Sequence, residues 1–236
     1  VALVIEQWRS GREFAARDTF AAQMVNFTYL IGDDSVMRAW LVDPAWDVRG
    51  ILDLVRHRRY ELAGVLLSHW HPDHAGGEFF GITAEGAAEV RKTTGCAIHA
   101  HRAEAPWLAE WAKIPESELT LFDADEELTL GKGVGARCVH SPGHTPGSTC
   151  YLVTDGSGKP GALFTGDVLF VGACGRVDLP GSDPLEMKRT LLERLAALPP
   201  ETIAYPGHDY GPRPTSTLAE ERRSNPYLIK ANWQET

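Results

Sequence analysis

The sequence predicts an α/β protein, and three features carry that reading. Short apolar runs bounded by Gly, Pro and Asp alternate with segments whose apolar residues recur at helical spacing. Leu62–Leu67 is a continuous apolar run, the pattern of a strand covered on both faces. A histidine-rich stretch, His69–His74, follows at once and so lies on the loop at that strand's C-terminal end, where α/β sheets place their chemistry.

In chain order, residues 1–7 alternate weakly, as a half-buried strand does. Asn26–Ile31 and Arg38–Val42 read as strands joined by the turn Gly32-Asp33-Asp34-Ser35, and Asp43-Pro44 ends the second. Val48–His57 sets Val48, Ile51, Leu52 and Val55 on one helical face. Ala84–Thr93 and Ala103–Ala112 predict helices around a strand at Ala97–Ala100. Leu128–Leu130, Ala136–Val139, Thr149–Val153 and Ala162–Phe164 read as strands separated by Gly-rich turns. Pro184–Leu198 predicts a helix with apolar Leu185, Leu191, Leu192, Leu195 and Leu198. Thr202–Ala204 predicts a short strand, and Leu218–Arg223 a last helical turn or two. No repeat, low-complexity segment or linker divides the chain, so residues 1–236 are expected to form one domain.

The net charge of -9 comes from 23 basic against 32 acidic side chains, which argues against a nucleic-acid surface, since that needs a basic stripe. An anionic substrate must therefore find local arginines or lysines. The cysteines Cys96, Cys138, Cys150 and Cys174 are widely spread and form no C-x-x-C pair, which points to a reducing compartment, the cytoplasm. No apolar run approaches the ~20 residues needed to span a bilayer, and no signal peptide is visible. The chain opens on Val1, which leaves room for a removed leader.

Five of the nine histidines fall into one recurring arrangement. The core is Ser68-His69-Trp70-His71-Pro72-Asp73-His74, an H-x-H-x-D-H cluster. His144 follows in Pro142-Gly143-His144-Thr145-Pro146-Gly147, Asp167 in Phe164-Thr165-Gly166-Asp167, and His208 in Tyr205-Pro206-Gly207-His208-Asp209. In these three later motifs a short strand ends, a glycine follows, and the candidate ligand comes next. Glycine permits tight turns that a Cβ would hinder, so a side chain can project from a strand end. Imidazole and carboxylate suit first-row divalent cations without thiolate, and this inventory is large enough for two of them.

These residues resemble the metallo-β-lactamase superfamily, and the likeness runs from Asn26 to Tyr227 with the ligand motifs in order. The resemblance implies an αββα four-layer sandwich: two mixed sheets face to face, helices outside, and metals at one edge between the sheets. Within the superfamily the chain looks most like glyoxalase II (hydroxyacylglutathione hydrolase) and its relative, the persulfide dioxygenase. Leu163–Phe170 and Cys174-Gly175-Arg176 resemble both. The tail Ser216–Pro226 leans toward the dioxygenase, and Gly207-His208 toward glyoxalase II. The chain ends soon after the last ligand motif, without the longer helical region that carries glutathione contacts in standard glyoxalase II.

The resemblance places His69, His71 and His144 on a first metal and Asp73, His74 and His208 on a second, with Asp167 bridging. Zinc is the first expectation, with iron(II) or manganese(II) as alternatives. A metal-bound hydroxide, which Asp73 would also orient, then cleaves a thioester such as an acylglutathione. In the alternative, His69, His144 and Asp167 hold a single iron(II) that oxidises glutathione persulfide, and the remaining ligands support them from outside. Lactone or β-lactam hydrolysis is a third option. The partner is a small molecule, with no nucleic acid or membrane, and a homodimer is compatible with the resemblance.

Other residues carry two readings each. Arg176 suits a substrate carboxylate or an ion pair with Asp178 or Asp183. Tyr210 is a candidate pocket wall or a packed edge tyrosine, and Trp70 a wall of the site or a core wedge. Phe79, Phe80 and Ile82 could form an apolar lid or pack on neighbouring helices. His57, His99, His101 and His140 are expected to play structural roles, and Cys174 lacks an adjacent base for thiol catalysis.

Overall fold

The computed structural model describes residues 3–79, 81–131 and 133–229. Its first half runs β1 (Leu3–Arg9), α1 (Thr19–Met24), β2 (Phe27–Asp33), β3 (Arg38–Val42), α2 (Val48–Arg58), β4 (Glu61–Leu66), α3 (Pro72–Ala75), β5 (Gly77–Phe79), β6 (Ile82–Ala84), α4 (Ala87–Thr94), β7 (Ala97–His101), α5 (Ala105–Trp111) and β8 (Leu119–Phe122). The second half runs β9 (Glu127–Thr129), β10 (Gly135–His140), β11 (Thr149–Thr154), β12 (Ala162–Gly166), β13 (Leu169–Phe170), β14 (Ala173–Cys174), α6 (Pro184–Arg189), β15 (Ile203–Pro206), β16 (Ser216–Thr217) and α7 (Leu218–Ser224).

Twelve of the described strands form two six-stranded mixed sheets, one from each half, in the orders β1-β2-β3-β4-β7-β8 and β16-β15-β12-β11-β10-β9, and β5–β6 and β13–β14 form two small hairpins. Side chains alternate along each strand, and that period builds four layers. Phe27, Tyr29 and Ile31 of β2 point between the sheets and meet Tyr151, Val153 and Phe164 of the second. Leu30 points the other way, into a core shared with Ile51, Leu52 and Val55 of α2 and Val90 of α4. The outer face of the second sheet carries Cys150, Leu163 and Ala204, covered by Met187 of α6, Leu191 and Leu218 of α7. Helix, sheet, sheet and helix therefore stack as the family resemblance implies. In β4, Val65 faces the helices and Leu66 faces the second sheet, so both faces are covered as its apolar run implies.

Several elements differ from the sequence reading. Helix α1, capped by Asp18, and strand β8 are too short to leave a periodic signal. The helix expected from Ala84 begins at Ala87, because Ala84 pairs with Gly77 across the β5–β6 hairpin. The helix expected over Pro184–Leu198 is α-helical only to Arg189. It widens into a π turn over Thr190–Arg194 and ends in a 3₁₀ turn over Leu195–Ala197. Phe80 and the first two residues lie outside the described residues. No helix among the described residues is long and apolar enough to cross a membrane.

Candidate metal centre

The two halves present their ligand loops at one shared edge. After β4 the chain leaves the sheet through Ser68, His69, Trp70 and His71, then turns into α3 at Pro72. His71 is extended (φ -56, ψ 141), the conformation a following proline imposes, and Pro72 starts the helix where a missing N–H costs nothing. Asp73 and His74 thus stand on the first turn of α3. His144 follows β10, Asp167 follows β12 and His208 follows β15. The loops are stitched across the sheets: the Thr149 N–H donates to the Ser68 carbonyl at 2.9 Å, and the Phe27 N–H to the Gly207 carbonyl at 2.8 Å. The glycines before the ligands serve for more than turning. A Cβ at Gly207 would lie 2.5 Å from Asp167 Oδ1, and one at Gly166 would lie 2.4 Å from Ser68 Oγ at a φ of +48.

The structure brings all seven sequence-identified residues into one buried cluster. His69, His71 and His144 form one group of neighbouring donor atoms, and Asp73, His74 and His208 another. His144 Nε2 lies 2.9 Å from His71 Nδ1, and His74 Nε2 lies 3.1 Å from His208 Nε2. Asp167 stands between the groups. Its Oδ2 is 3.7 Å from His144 Nε2 and 3.4 Å from His208 Nε2, and its Oδ1 is 3.3 Å from His74 Nε2. Two ligands held at 2.0–2.1 Å on one tetrahedral zinc lie roughly 3.4 Å apart, which is the spacing scale of this cluster.

The outward-facing nitrogens decide the tautomers. His144 Nδ1 faces the Arg176 carbonyl at 2.8 Å, and His208 Nδ1 faces the Met24 carbonyl at 2.7 Å. A carbonyl only accepts, so each Nδ1 carries hydrogen and leaves a lone pair on Nε2 when the ring is neutral. His74 Nδ1 donates in the same way to Asp43 Oδ2 at 3.1 Å. Ser68 Oγ donates to Asp43 Oδ2 at 2.5 Å and so accepts from His69 Nδ1 at 2.9 Å. His69 Nε2 is then buried with no hydrogen-bond partner among the described residues. These lone pairs, together with two carboxylates, converge away from water, an arrangement that demands positive charge. Imidazole and carboxylate donors with satisfied outer nitrogens fit divalent metal.

The titration behaviour carries the same message. Burial raises and the nearby imidazoles lower the pKa of Asp167, and the imidazoles win, holding it well below the carboxylate range. Asp73 is lowered in the same way by His74 and His208. Burial would lower His208, but Asp167 and Asp73 outweigh it and push it up to about 9; His74 is likewise raised. His71 is pushed down to about 3 by burial and by His144. One group thus gathers positive charge beside the carboxylates, and the other keeps neutral rings.

Three supporting residues carry no local sequence signal. Asp43, in the sequence only a strand terminator, holds His74 and Ser68 and also accepts from the Ser68 N–H at 2.7 Å. Asn26 donates to Asp73 Oδ2 at 2.9 Å and is itself held by Trp46 Nε1 at 2.9 Å. Glu104 is buried with no cationic partner among the described residues. It accepts from the Trp70 N–H at 2.7 Å and the Gly147 N–H at 2.6 Å, tying the His69–His74 loop to the His144 loop, and burial raises its carboxyl to about 7.

The cluster faces a cavity of about 730 Å³. Tyr210 lines it, stacked on His208 at 4.5 Å, and Trp70 lines it, buried and stacked on Trp107 at 5.0 Å. Arg176 also lines it, with its guanidinium on Asp178 at 2.9 and 3.0 Å; Asp183 instead caps α6. Cys174 lines it with a thiol that burial pushes up to about 12, a poor nucleophile. His140 and His101 stack on each other at 4.0 Å, outside the cluster.

The fold has known counterparts. The metallo-beta-lactamase superfamily model matches residues 22–208, and the chain belongs to that superfamily. It is 29% identical over 210 residues to a probable polyketide biosynthesis zinc-dependent hydrolase of Bacillus velezensis, covering 89% of this chain and 84% of that one. It is 37% identical over 187 residues to a hydroxyacylglutathione hydrolase of Shewanella sp., covering 78% of this chain and 62% of that one. Among solved structures, a metallo-beta-lactamase of Staphylococcus aureus superposes with a TM-score of 0.79 at 25% identity, over 98% of this chain and 65% of that one. ETHE1 of Myxococcus xanthus superposes with a TM-score of 0.75 at 27% identity, over 94% and 83%. A protein solved in a di-iron-bound form gives 0.67 at 28%, over 87% and 96%. Members of this superfamily bind divalent metals and are typically hydrolytic enzymes.

Two outcomes follow. An unfolded histidine titrates near 6.5 and the folded His208 near 9, so its stabilising contribution is complete below the first value and lost as pH rises through the second. Metal-free protein should lose roughly 2–4 kcal/mol of stability between pH 7 and 9 in urea titrations. Metal-loaded protein, with neutral coordinated imidazoles, should lose little of it. Asp43→Ala, which frees the outer nitrogen of His74 and the Ser68 hydroxyl, should weaken metal affinity by about 10–100-fold in chelator competition.

Proposed function

We propose that the protein is a metal-dependent hydrolase of the glyoxalase II type, cleaving a thioester such as an acylglutathione. The observation that carries this reading is the donor set facing the cavity: His69, His71 and His144 for one divalent cation, Asp73, His74 and His208 for another, and Asp167 between them. Zinc is the metal expected first, with iron(II) or manganese(II) as alternatives. When bound, the cations would activate a water and stabilise negative charge on the carbonyl oxygen.

The chain's own groups do the rest. Asp73 and Asp167 stay anionic, and Asn26 fixes the orientation of Asp73. No serine or cysteine nucleophile is needed, in keeping with the raised Cys174 thiol. Tyr210 walls the substrate against His208. Arg176 would contact a carrier carboxylate on exchanging Asp178 for it. The partner is a small molecule. Similarity to proteins named as hydroxyacylglutathione hydrolase and zinc-dependent hydrolase supports this reading.

The likeness to ETHE1 is compatible with a second reading, in which His69, His144 and Asp167 hold one iron(II) for persulfide oxidation. One comparison separates the two. Zinc-loaded protein is assayed with acylglutathiones, and protein reconstituted anaerobically with iron(II) is followed for oxygen uptake on adding glutathione persulfide. We expect thioester cleavage without stoichiometric oxygen uptake, and a loss of about 100-fold or more in His74→Ala and His208→Ala. Rapid uptake, with both variants still active, would overturn the hydrolase reading.

A further inference from the structure

We propose that the cavity selects its substrate by an apolar acyl group, long-chain or aromatic, and not by the carrier thiol. The inference rests on the thioester reading above and says which half of the thioester the protein recognises.

One wall of the cavity is aromatic and fixed. Trp70 is sandwiched among rings, 5.0 Å from Trp107 and 5.4 Å from Trp111. Phe79 stands on the β5–β6 hairpin with its ring 5.7 Å from Trp46. That hairpin is pressed against the end of α5: a Cβ on Gly77, at a φ of +128, would lie 2.4 Å from the Trp111 carbonyl oxygen. Phe79 and Trp111 therefore sit on elements packed directly against each other. Met24 and Phe170 also line the cavity. The volume of about 730 Å³ is in the range of sites that enclose drug-sized molecules, far more than a two- or three-carbon acyl group fills.

Charge points the same way. Among the described residues lining the cavity, Arg176 is the one lysine or arginine, and Asp178 already engages it through two hydrogen bonds at 2.9 and 3.0 Å. A carrier with two carboxylates would have to displace Asp178 for one contact, against a net charge of -9. An apolar acyl group needs only to leave water, and each methylene it buries is worth about a fourfold gain.

The test uses zinc-loaded protein and two matched series. Acetyl, butanoyl, hexanoyl, octanoyl and phenylacetyl thioesters are compared on glutathione and on N-acetylcysteamine, a neutral thiol. Ketone analogues, with a methylene in place of the sulfur, are titrated by calorimetry and by quenching of tryptophan fluorescence. We expect kcat/KM and analogue affinity to rise about fourfold per methylene, at least to hexanoyl, with less than a threefold difference between carriers. Trp111→Ala and, independently, Phe79→Leu should flatten the slope. Equal cleavage of every acyl group, or a tenfold or greater preference for glutathione, overturns the inference and leaves the thioesterase reading standing. Chain-length-dependent analogue binding without thioester cleavage supports the pocket assignment and removes the thioesterase reading.

Discussion

Asp73 and Asp167 are carboxylates withdrawn from water and set against imidazole nitrogens whose outer hydrogens are already committed elsewhere. A buried charge of this kind persists only where opposite charge meets it. In metal-free protein, protons on His74 and His208 supply part of that charge, which is why both titrate above their ordinary value. A divalent cation supplies it better, because it takes lone pairs from both rings and carboxylates at once. The inward-facing nitrogens, the glycines beside them and the hydrogen bonds behind them all follow from that demand.

The fold meets it by bringing two sheets to a common edge and fixing each ring from behind. Strand β3 pairs parallel with β4, with Val42 opposite Leu66, so Asp43 arrives beside Ser68 just where the chain leaves the sheet. From there one carboxylate steadies His69 through Ser68 and His74 directly. An isolated bridge between Asn26 and His208 brings the other sheet's last ligand to the same place. The inter-sheet core of Tyr29, Trp40, Tyr151 and Phe164 lies beneath this edge and holds the two halves together. Packing, strand register and ligand position are thus one problem with one solution.

The seven clustered residues were legible in the sequence because imidazole and carboxylate types recur at fixed local spacings, each after a strand end and, in the later motifs, a glycine; their assignment to metals came from the family resemblance. Helix α2 was legible from its period and β4 from its continuous apolar run, whereas the four-layer stacking was read from the family resemblance. Asp43, Asn26 and Glu104 were not, since each acts through residues distant in the chain and looks locally like a strand end, a strand start or a helix entry. The Arg176 side chain turns onto Asp178 while its carbonyl fixes His144, an arrangement that tertiary structure alone reveals. The π turn at Thr190–Arg194 likewise lies in a sequence whose leucine spacing reads as plain helix.

Two cations on one set of seven side chains is the arrangement proposed for this site. Anomalous diffraction at the zinc edge from zinc-grown crystals tests it most directly. We predict two peaks about 3.5–4 Å apart, one against His69, His71 and His144 and the other against Asp73, His74 and His208, with Asp167 touching both. A single peak, or none at this edge, would contradict it.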